Sequence, residues 1–229
     1  QALRNGLNFK VISIHKLKHV FRKYSEFPKY NLVPAFMSSC SFLIPPILIN
    51  KFFSSEAAGF FDLSKLLLSI PLALIASSFS SVLLQKISEK YQKGESFLTD
   101  LKPIILVVIS ISIGEILVIL LFGDLIFRFI FGEDWITSGK ISKIMVWSFA
   151  LNFIVSTFST IFVTMRKIKS YSIWQLFYFL AILSLLFFRN LEFIDFLKVY
   201  VLVEVGCYLV VTFVMVFFII RYEMSLQKK

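Results

Sequence analysis

The stretch AAGFFDLSKLLLSIPLALIASSFSSVLLQ, residues 57–85, decides the fold of this chain. It has 29 residues, and its only charged side chains, Asp62 and Lys65, lie near its start. A helix of this length measures about 43 Å, which exceeds the roughly 30 Å apolar core of a bilayer. Because backbone polar groups cannot stay unpaired in lipid, the stretch is predicted to be a transmembrane helix.

The composition of the whole chain supports the same interpretation. Its 229 residues are 58% apolar, include 28 Phe and have a mean hydropathy of +0.82. Soluble domains average about 45–50% apolar residues, so the excess predicts an all-α, polytopic membrane protein. The net charge is +10. The basic residues lie in alternate loops rather than along one stripe, so no nucleic-acid partner is expected.

The chain divides into three predicted regions. Residues 1–30 carry seven Lys and Arg and are predicted to form a basic amphipathic segment on the membrane surface, in contact with lipids. Residues 31–221 form a six-helix transmembrane lobe, and residues 222–229 form a cytoplasmic tail. The predicted spans are 31–53, 57–85, 103–122, 141–165, 171–188 and 199–220. Because the chain begins at Gln1 without an initiator Met, it is expected to be part of a longer protein.

The distribution of Lys and Arg predicts the orientation. With the N-terminus inside, 17 of the 24 basic residues lie on the inner side and six on the outer side, while Lys65 lies within the membrane. The inner connections include the polar segment 86–102, and the longest outer loop is about Phe131–Lys140. This asymmetry predicts that both termini are cytoplasmic.

Small residues and prolines in the first two spans predict close helix packing. Serines at positions 69, 77, 78, 80 and 81, together with alanines at 73 and 76, let another helix approach closely. Pro45 and Pro46 lie inside the first span, where each removes a backbone donor. Neighbouring helices or water must then satisfy the carbonyl groups that lose a partner.

Ionisable side chains within the spans are candidate site residues. Lys65 lies about 12 Å from the outer end of its helix, Glu115 about 18 Å from the inner end, and Glu204 about 8 Å from the outer boundary. Asp62 lies three residues before Lys65, on the same helix face. Charges at such depths mark substrate and ion pathways. Lys65 and Asp62 are therefore predicted to bind substrate, and Glu115 and Glu204 to couple ions or protons. The alternative is a set of internal ion pairs or protonated carboxyls that holds the bundle together.

No catalytic motif accompanies these charges. The chain has no glycine-rich phosphate loop, no HExxH and no serine elbow, and its two histidines share one segment. Cys40 and Cys207 both fall in apolar segments and predict neither a disulfide framework nor a metal site. The chain is therefore not expected to be an enzyme, with no catalytic residues, no metal and no cofactor.

Three stretches resemble the polysaccharide or O-antigen flippases. FPKYNLVPAF (residues 27–36) looks like the entry to their seventh span. EAAGFFDLSKLLLSIPLALIASSFSSVLLQKISE (residues 56–89) is similar to their eighth span. FGEDWITSGKISKIM (residues 131–145) resembles their ninth-to-tenth outer loop, in which FGxxW precedes a small AG or SG step. The resemblance covers residues 25–221.

The resemblance implies the C-terminal half of a transporter in the multidrug/oligosaccharidyl-lipid/polysaccharide superfamily. Its fold would be one lobe of a MATE-like, two-lobe transporter, with the missing N-terminal lobe of the same protein as its partner. The substrate would be an undecaprenyl-pyrophosphate-linked oligosaccharide, flipped across the bacterial inner membrane for O-antigen, capsule or exopolysaccharide synthesis. The basic residue of the family's eighth span corresponds to Lys65, which would contact the pyrophosphate.

Three alternatives remain open. A cation-coupled multidrug exporter of the same superfamily would have an acidic and aromatic cavity, to which Glu115 and Glu204 would contribute. A membrane polymerase or ligase for the same glycans would need a large outer loop with Arg and His. A purely structural subunit would make no use of charges near the midplane.

Overall fold

The computed structural model describes residues 32–227. Within that range all regular structure is helical, which confirms the all-α prediction. The predicted amphipathic segment, residues 1–30, and the last two residues of the predicted tail lie outside the described range. The helices are α1 (Val33–Phe52), α2 (Ser55–Lys93), α3 (Leu98–Phe131), α4 (Ile136–Phe158), α5 (Thr160–Thr164), α6 (Ile168–Leu183) and α7 (Phe193–Leu226). Two 3-10 turns cover Glu133–Trp135 and Ser184–Phe188.

Six helical segments are long and apolar enough to cross a membrane, as the sequence predicts. They are 33–52, 55–93, 98–131, 133–164, 168–188 and 193–226. The fourth consists of a 3-10 turn, α4 and the short α5. Large apolar side chains cover much of the outer surface; Phe129 is 90% exposed, Phe187 85% and Phe213 73%. Such a surface is suited to contact with acyl chains or with a further protein surface.

Helix α2 extends beyond its predicted span. With 39 residues it measures about 58 Å, much longer than the apolar core of a bilayer. The Ser54 side chain caps its start by accepting from the Ala57 N–H at 3.0 Å. Gly94, at φ +69°, ends it. Because no helix breaker precedes Gly94, residues 86–93 continue α2. The predicted polar connection 86–102 is therefore helical on both sides of a short turn.

Helix α3 also continues past its predicted end at Phe122. Gly123 does not interrupt it, since this residue is buried against α4. The adjacent Asp124 carboxylate pairs with the Lys143 ammonium at 2.7 Å. The connection to α4 is reduced to Gly132 and one 3-10 turn, so the predicted outer loop Phe131–Lys140 is largely helical.

Helix α4 lies at the centre of the lobe and packs against α2, α3 and α7. In the most apolar part of the fourth span, which contains α4, 56% of the residues are buried, at least twice the share in any other span. Small residues permit these contacts. A Cβ on Gly139 would lie 2.7 Å from the Asp124 Cα, so the backbones of α3 and α4 touch at this point.

The two ends of the bundle differ in charge. At one end, called here the basic end, Tyr222 of α7 stacks on Phe97, with ring centroids 5.2 Å apart, and packs at a tilt against Tyr91, with centroids 4.9 Å apart. The described basic residues at this end are Lys86, Lys90, Lys93, Lys102, Arg166, Lys167, Lys169 and Arg221. At the opposite end, Phe60 packs edge-on against Trp135.

Candidate functional site

The Lys65 side chain lies inside the lobe rather than on its surface. It is 5% exposed, and its ammonium donates a hydrogen bond to the backbone carbonyl of Phe42 in α1. The same nitrogen lies 3.3 Å from the centroid of the Phe42 ring, a cation–π contact. Lys65 therefore joins α2 to α1 in this structure.

The sequence of α1 explains why the Phe42 carbonyl accepts this hydrogen bond. In an α-helix, that carbonyl would accept from the N–H of residue 46. Residue 46 is Pro46, which has no N–H, so the carbonyl has no donor within its own helix. Lys65 supplies the missing donor from the neighbouring helix. The expectation that neighbours satisfy the groups released by proline is confirmed at this position.

Asp62 does not pair with Lys65, although the two are one helical turn apart. Asp62 is exposed, whereas Lys65 points into the bundle. The structure therefore does not bring Asp62 and Lys65 together as a direct pair.

A groove with a mixed apolar and polar lining runs between α2 and α4 near the middle of the bundle. Its volume is about 390 Å³, within the range of small-molecule sites. Phe42 is part of its lining, and the Lys65 ammonium lies against the Phe42 ring. The polar residues that line it, and that define the serine groove, are Ser69, Ser77, Ser80, Asn152 and Ser156.

The hydrogen-bonding capacity of the serine groove is only partly used. Ser77 donates to the Leu74 carbonyl at 2.9 Å, and Ser80 donates to the Thr157 carbonyl at 2.8 Å. Each hydroxyl oxygen keeps the capacity to accept a hydrogen bond. The Asn152 amide makes no hydrogen bond with residues 32–227. The groove therefore offers acceptors and one complete amide to a ligand rich in hydroxyl groups.

A second polar cluster surrounds Glu204 on α7. Glu204 is 5% exposed and accepts a hydrogen bond from the Tyr178 hydroxyl at 2.8 Å. The Tyr208 hydroxyl lies 3.4 Å from that of Tyr178, and the Tyr200 and Ser148 hydroxyls lie next to the same carboxyl. Its residues come from α4, α6 and α7, and the Tyr200 ring also packs against Phe61 of α2.

Glu115 lies apart from both clusters. It is half-buried on the face of α3 that packs towards α4. Its Oε2 atom is buried and has no hydrogen-bond partner in the described structure. Unpaired buried carboxyl oxygens are costly in free energy, which makes Glu115 an unusual position in the lobe.

Sequence reasoning missed several residues of these clusters. Tyr200, Glu204 and Tyr208 follow one another at four-residue steps, a spacing that places all three on one face of a helix and could have indicated the cluster. Asn152 gave no such signal, because its importance depends on a groove between two helices. Among residues 32–227, no three His, Cys, Asp or Glu side chains lie close enough together to hold a metal ion.

Comparison with known proteins gives a match to a protein family. Residues 7–140 match a protein family described as "Polysaccharide biosynthesis protein". This region covers more than half of the chain and includes α1, α2, α3 and the Gly123–Gly139 contact. No curated protein and no solved structure matches the chain.

Proposed function

The chain belongs to the polysaccharide biosynthesis protein family, and on that premise we propose that it moves a lipid-linked oligosaccharide across the bacterial inner membrane. The substrate would be an undecaprenyl-pyrophosphate-linked oligosaccharide, as the flippase resemblance implies. The observation that carries the proposal is the serine groove, which presents four serine hydroxyls and the Asn152 amide among apolar side chains, on helices long enough to span a bilayer.

The chemistry of the groove suits a sugar chain. Sugar hydroxyls both donate and accept hydrogen bonds, and the groove offers serine oxygens and the Asn152 amide. Its lining includes three Phe but no acidic side chain, and a cation exporter would need an acidic cavity. A multidrug exporter is therefore the weaker candidate. The short connection at Gly132 also offers little room for the outer loop that a polymerase or ligase would need.

The exposed serines of α2 support a two-lobe arrangement. Ser77, Ser78 and Ser81 are exposed on a helix that is otherwise apolar at this depth. Their hydroxyls donate to carbonyls of their own helix, which lowers the cost of placing them near lipid. We propose that a second lobe of the same protein faces this surface, so that the serine groove opens into a shared cavity.

The charged candidates receive different roles in this proposal. Lys65 holds Phe42 in the groove wall and adds positive potential behind it, and Asp62 lies nearer the outer end. Glu204 and Glu115 are proposed to take up and release the coupling ion. The basic end is proposed to face the cytoplasm, because cytoplasmic connections are enriched in Lys and Arg.

The function is tested in a strain that lacks the protein. This strain should accumulate the lipid-linked intermediate. Expression of the wild-type protein should restore the surface glycan and remove the accumulated intermediate. Asn152→Ala should lower export several-fold, because it removes the one unpaired amide of the groove. Asn190→Ala, in an exposed turn after α6, is the matched control and should export normally. Efflux of cationic dyes without glycan export would overturn the proposal in favour of the drug exporter.

A further inference from the structure

The turn between α5 and α6 places an arginine where glycine is favoured. The Lys167 N–H donates to the Phe162 carbonyl at 2.7 Å, and the Arg166 N–H donates to the Val163 carbonyl at 3.1 Å. These two hydrogen bonds form a Schellman motif that closes the end of α5. Arg166 occupies its left-handed position, with φ 56°.

The backbone conformation at Arg166 is strained for a residue with a Cβ. Among the described residues, Arg166 alone has a positive φ without being glycine; Gly94 and Gly132 are the other positive-φ residues. Glycine at this position would form the same two hydrogen bonds without the strain. Strained backbone of this kind is a reason to look for a function of the side chain.

A pocket of about 450 Å³ lies beside this turn, at the basic end of the groove between α2 and α5. Arg166 lines it together with Ser88, Gln92 and Thr164. The Ser88 and Thr164 hydroxyl oxygens lie 3.3 Å apart, so one donates to the other and one hydroxyl hydrogen stays available. The site is called here the Arg166 pocket.

Arg166 is the charged residue that lines this pocket, and its charge is uncompensated. It forms no ion pair with residues 32–227. Lys90 and Lys93 nearby are paired with Asp100 and Glu89, and the Lys167 ammonium lies 5.4 Å from the Phe218 ring centroid. Helix α6 begins just after the turn, and the positive end of its dipole adds to the potential there.

From these observations we propose that the Arg166 pocket binds the pyrophosphate group of the substrate on the basic side of the membrane. The guanidinium would donate two parallel hydrogen bonds to phosphate oxygens, a geometry that arginine provides and lysine does not. Ser88, Thr164 and Gln92 would donate the remaining hydrogen bonds. This inference rests on the proposed function, because it takes the lipid-linked oligosaccharide as the source of the pyrophosphate.

Titration calorimetry of the purified protein in detergent tests the site, with inorganic pyrophosphate as the probe. The wild-type protein should bind it, and Arg166→Gln should weaken binding about tenfold or more, since a charge-assisted contact is lost. Arg221→Gln, at an exposed arginine of the same end outside the pocket, is the matched control and should change the affinity less than twofold. No binding by the wild type, or equal binding by Arg166→Gln, overturns the inference.

Arg166→Gly separates loss of the site from loss of the fold. Glycine relieves the strained φ, so this variant should melt at the same temperature as the wild type or higher, yet bind as weakly as Arg166→Gln. Competition then identifies the source of the phosphate. Displacement of inorganic pyrophosphate by undecaprenyl pyrophosphate, but not by phosphatidylglycerol, supports the inference. Equal displacement by phosphatidylglycerol would overturn it in favour of a site for bulk lipid.

The two proposals fail in different experiments. If the wild-type protein restores glycan export but does not bind pyrophosphate at Arg166, the proposed function is retained and this site is excluded. If binding depends on Arg166 but the protein does not restore export, the site is retained and the proposed function is excluded.

Discussion

At the scale of single residues, the hydrogen bond from Lys65 to the Phe42 carbonyl connects two unusual features of the sequence, a proline inside α1 and a buried lysine in α2. Pro46 removes the donor for the Phe42 carbonyl, and Lys65 replaces it from the next helix. A lysine at this depth is costly unless its ammonium is satisfied. Each residue therefore compensates for the other, and the pair fixes α1 against α2.

This compensation predicts a measurable coupling between Lys65 and Pro46. Lys65→Met should destabilise the protein, because a hydrogen bond to a charged group contributes about 1.5–3 kcal/mol. In Pro46→Ala, the new N–H of residue 46 can donate to the Phe42 carbonyl. In that background, Lys65→Met should reduce the free energy of unfolding by about 1 kcal/mol less than in the wild type. Thermal unfolding in detergent of the four proteins of this cycle measures the coupling. Strictly additive effects would show that the proline and the lysine act independently.

Glu204 should be required for ion coupling rather than for folding. Glu204→Gln keeps an oxygen that can accept from Tyr178 but cannot release a proton, so export should fall and lose its sensitivity to a protonophore. The melting temperature should stay close to that of the wild type. Glu192→Gln, at the exposed start of the same helix, is the control and should behave as the wild type in both assays. Protonophore-sensitive export by Glu204→Gln would exclude this role.

Glu115, in contrast, should lower the stability of the protein while it contributes to export. Its buried Oε2 has no hydrogen-bond partner in the described structure, and such an atom costs about 1–3 kcal/mol. Glu115→Met removes that cost at similar volume, so the melting temperature should rise while export falls. Measuring both on one preparation tests the prediction. A more stable protein with full export would show that the carboxyl has no part in transport.

At the scale of helices, the contact of α3 with α4 depends on Gly123 and Gly139. Gly139→Ala would place a Cβ 2.7 Å from backbone of α3, so the helices must separate and the Lys143–Asp124 pair with them. We expect a loss of about 1–3 kcal/mol or more, as for other overpacked core sites. Gly114→Ala in α3, where a Cβ meets nothing within 4 Å, is the matched control and should be neutral or slightly stabilising. Equal stability of the two variants would contradict the close contact.

The elements also show which features the sequence could predict. Six long apolar runs determine six helices, because lipid leaves the backbone no other way to satisfy its polar groups. The ends of these helices are less predictable from the sequence. Residues 86–93 are polar yet helical, because no helix breaker precedes Gly94. Lys65 was recognised from its depth, but its contact with Phe42 depends on how α1 packs. Asn152 and the serine groove require the arrangement of α2 against α4, which no local pattern specifies.

At the scale of the whole molecule, the two ends of the bundle differ in charge. Among residues 32–227, the basic end has eight Lys and Arg against four Asp and Glu, whereas the opposite end has six against seven. Unneutralised positive charge near a membrane favours retention in the cytoplasm. This difference in charge is the reason for proposing that the basic end, with the Arg166 pocket, faces the cytoplasm.

This orientation predicts a specific pattern of chemical labelling. With Cys40 and Cys207 replaced by Ala, a single cysteine in the α2–α3 turn (Glu95→Cys) should react with a membrane-impermeant maleimide only after the inner membrane is permeabilised. A single cysteine in the 3-10 turn before α4 (Asp134→Cys) should react in spheroplasts with an intact inner membrane. Both positions are exposed, so accessibility within the protein does not limit the reaction. Labelling of both cysteines after denaturation controls for expression. The reverse pattern would place the basic end outside and would separate the Arg166 pocket from the leaflet that supplies its ligand.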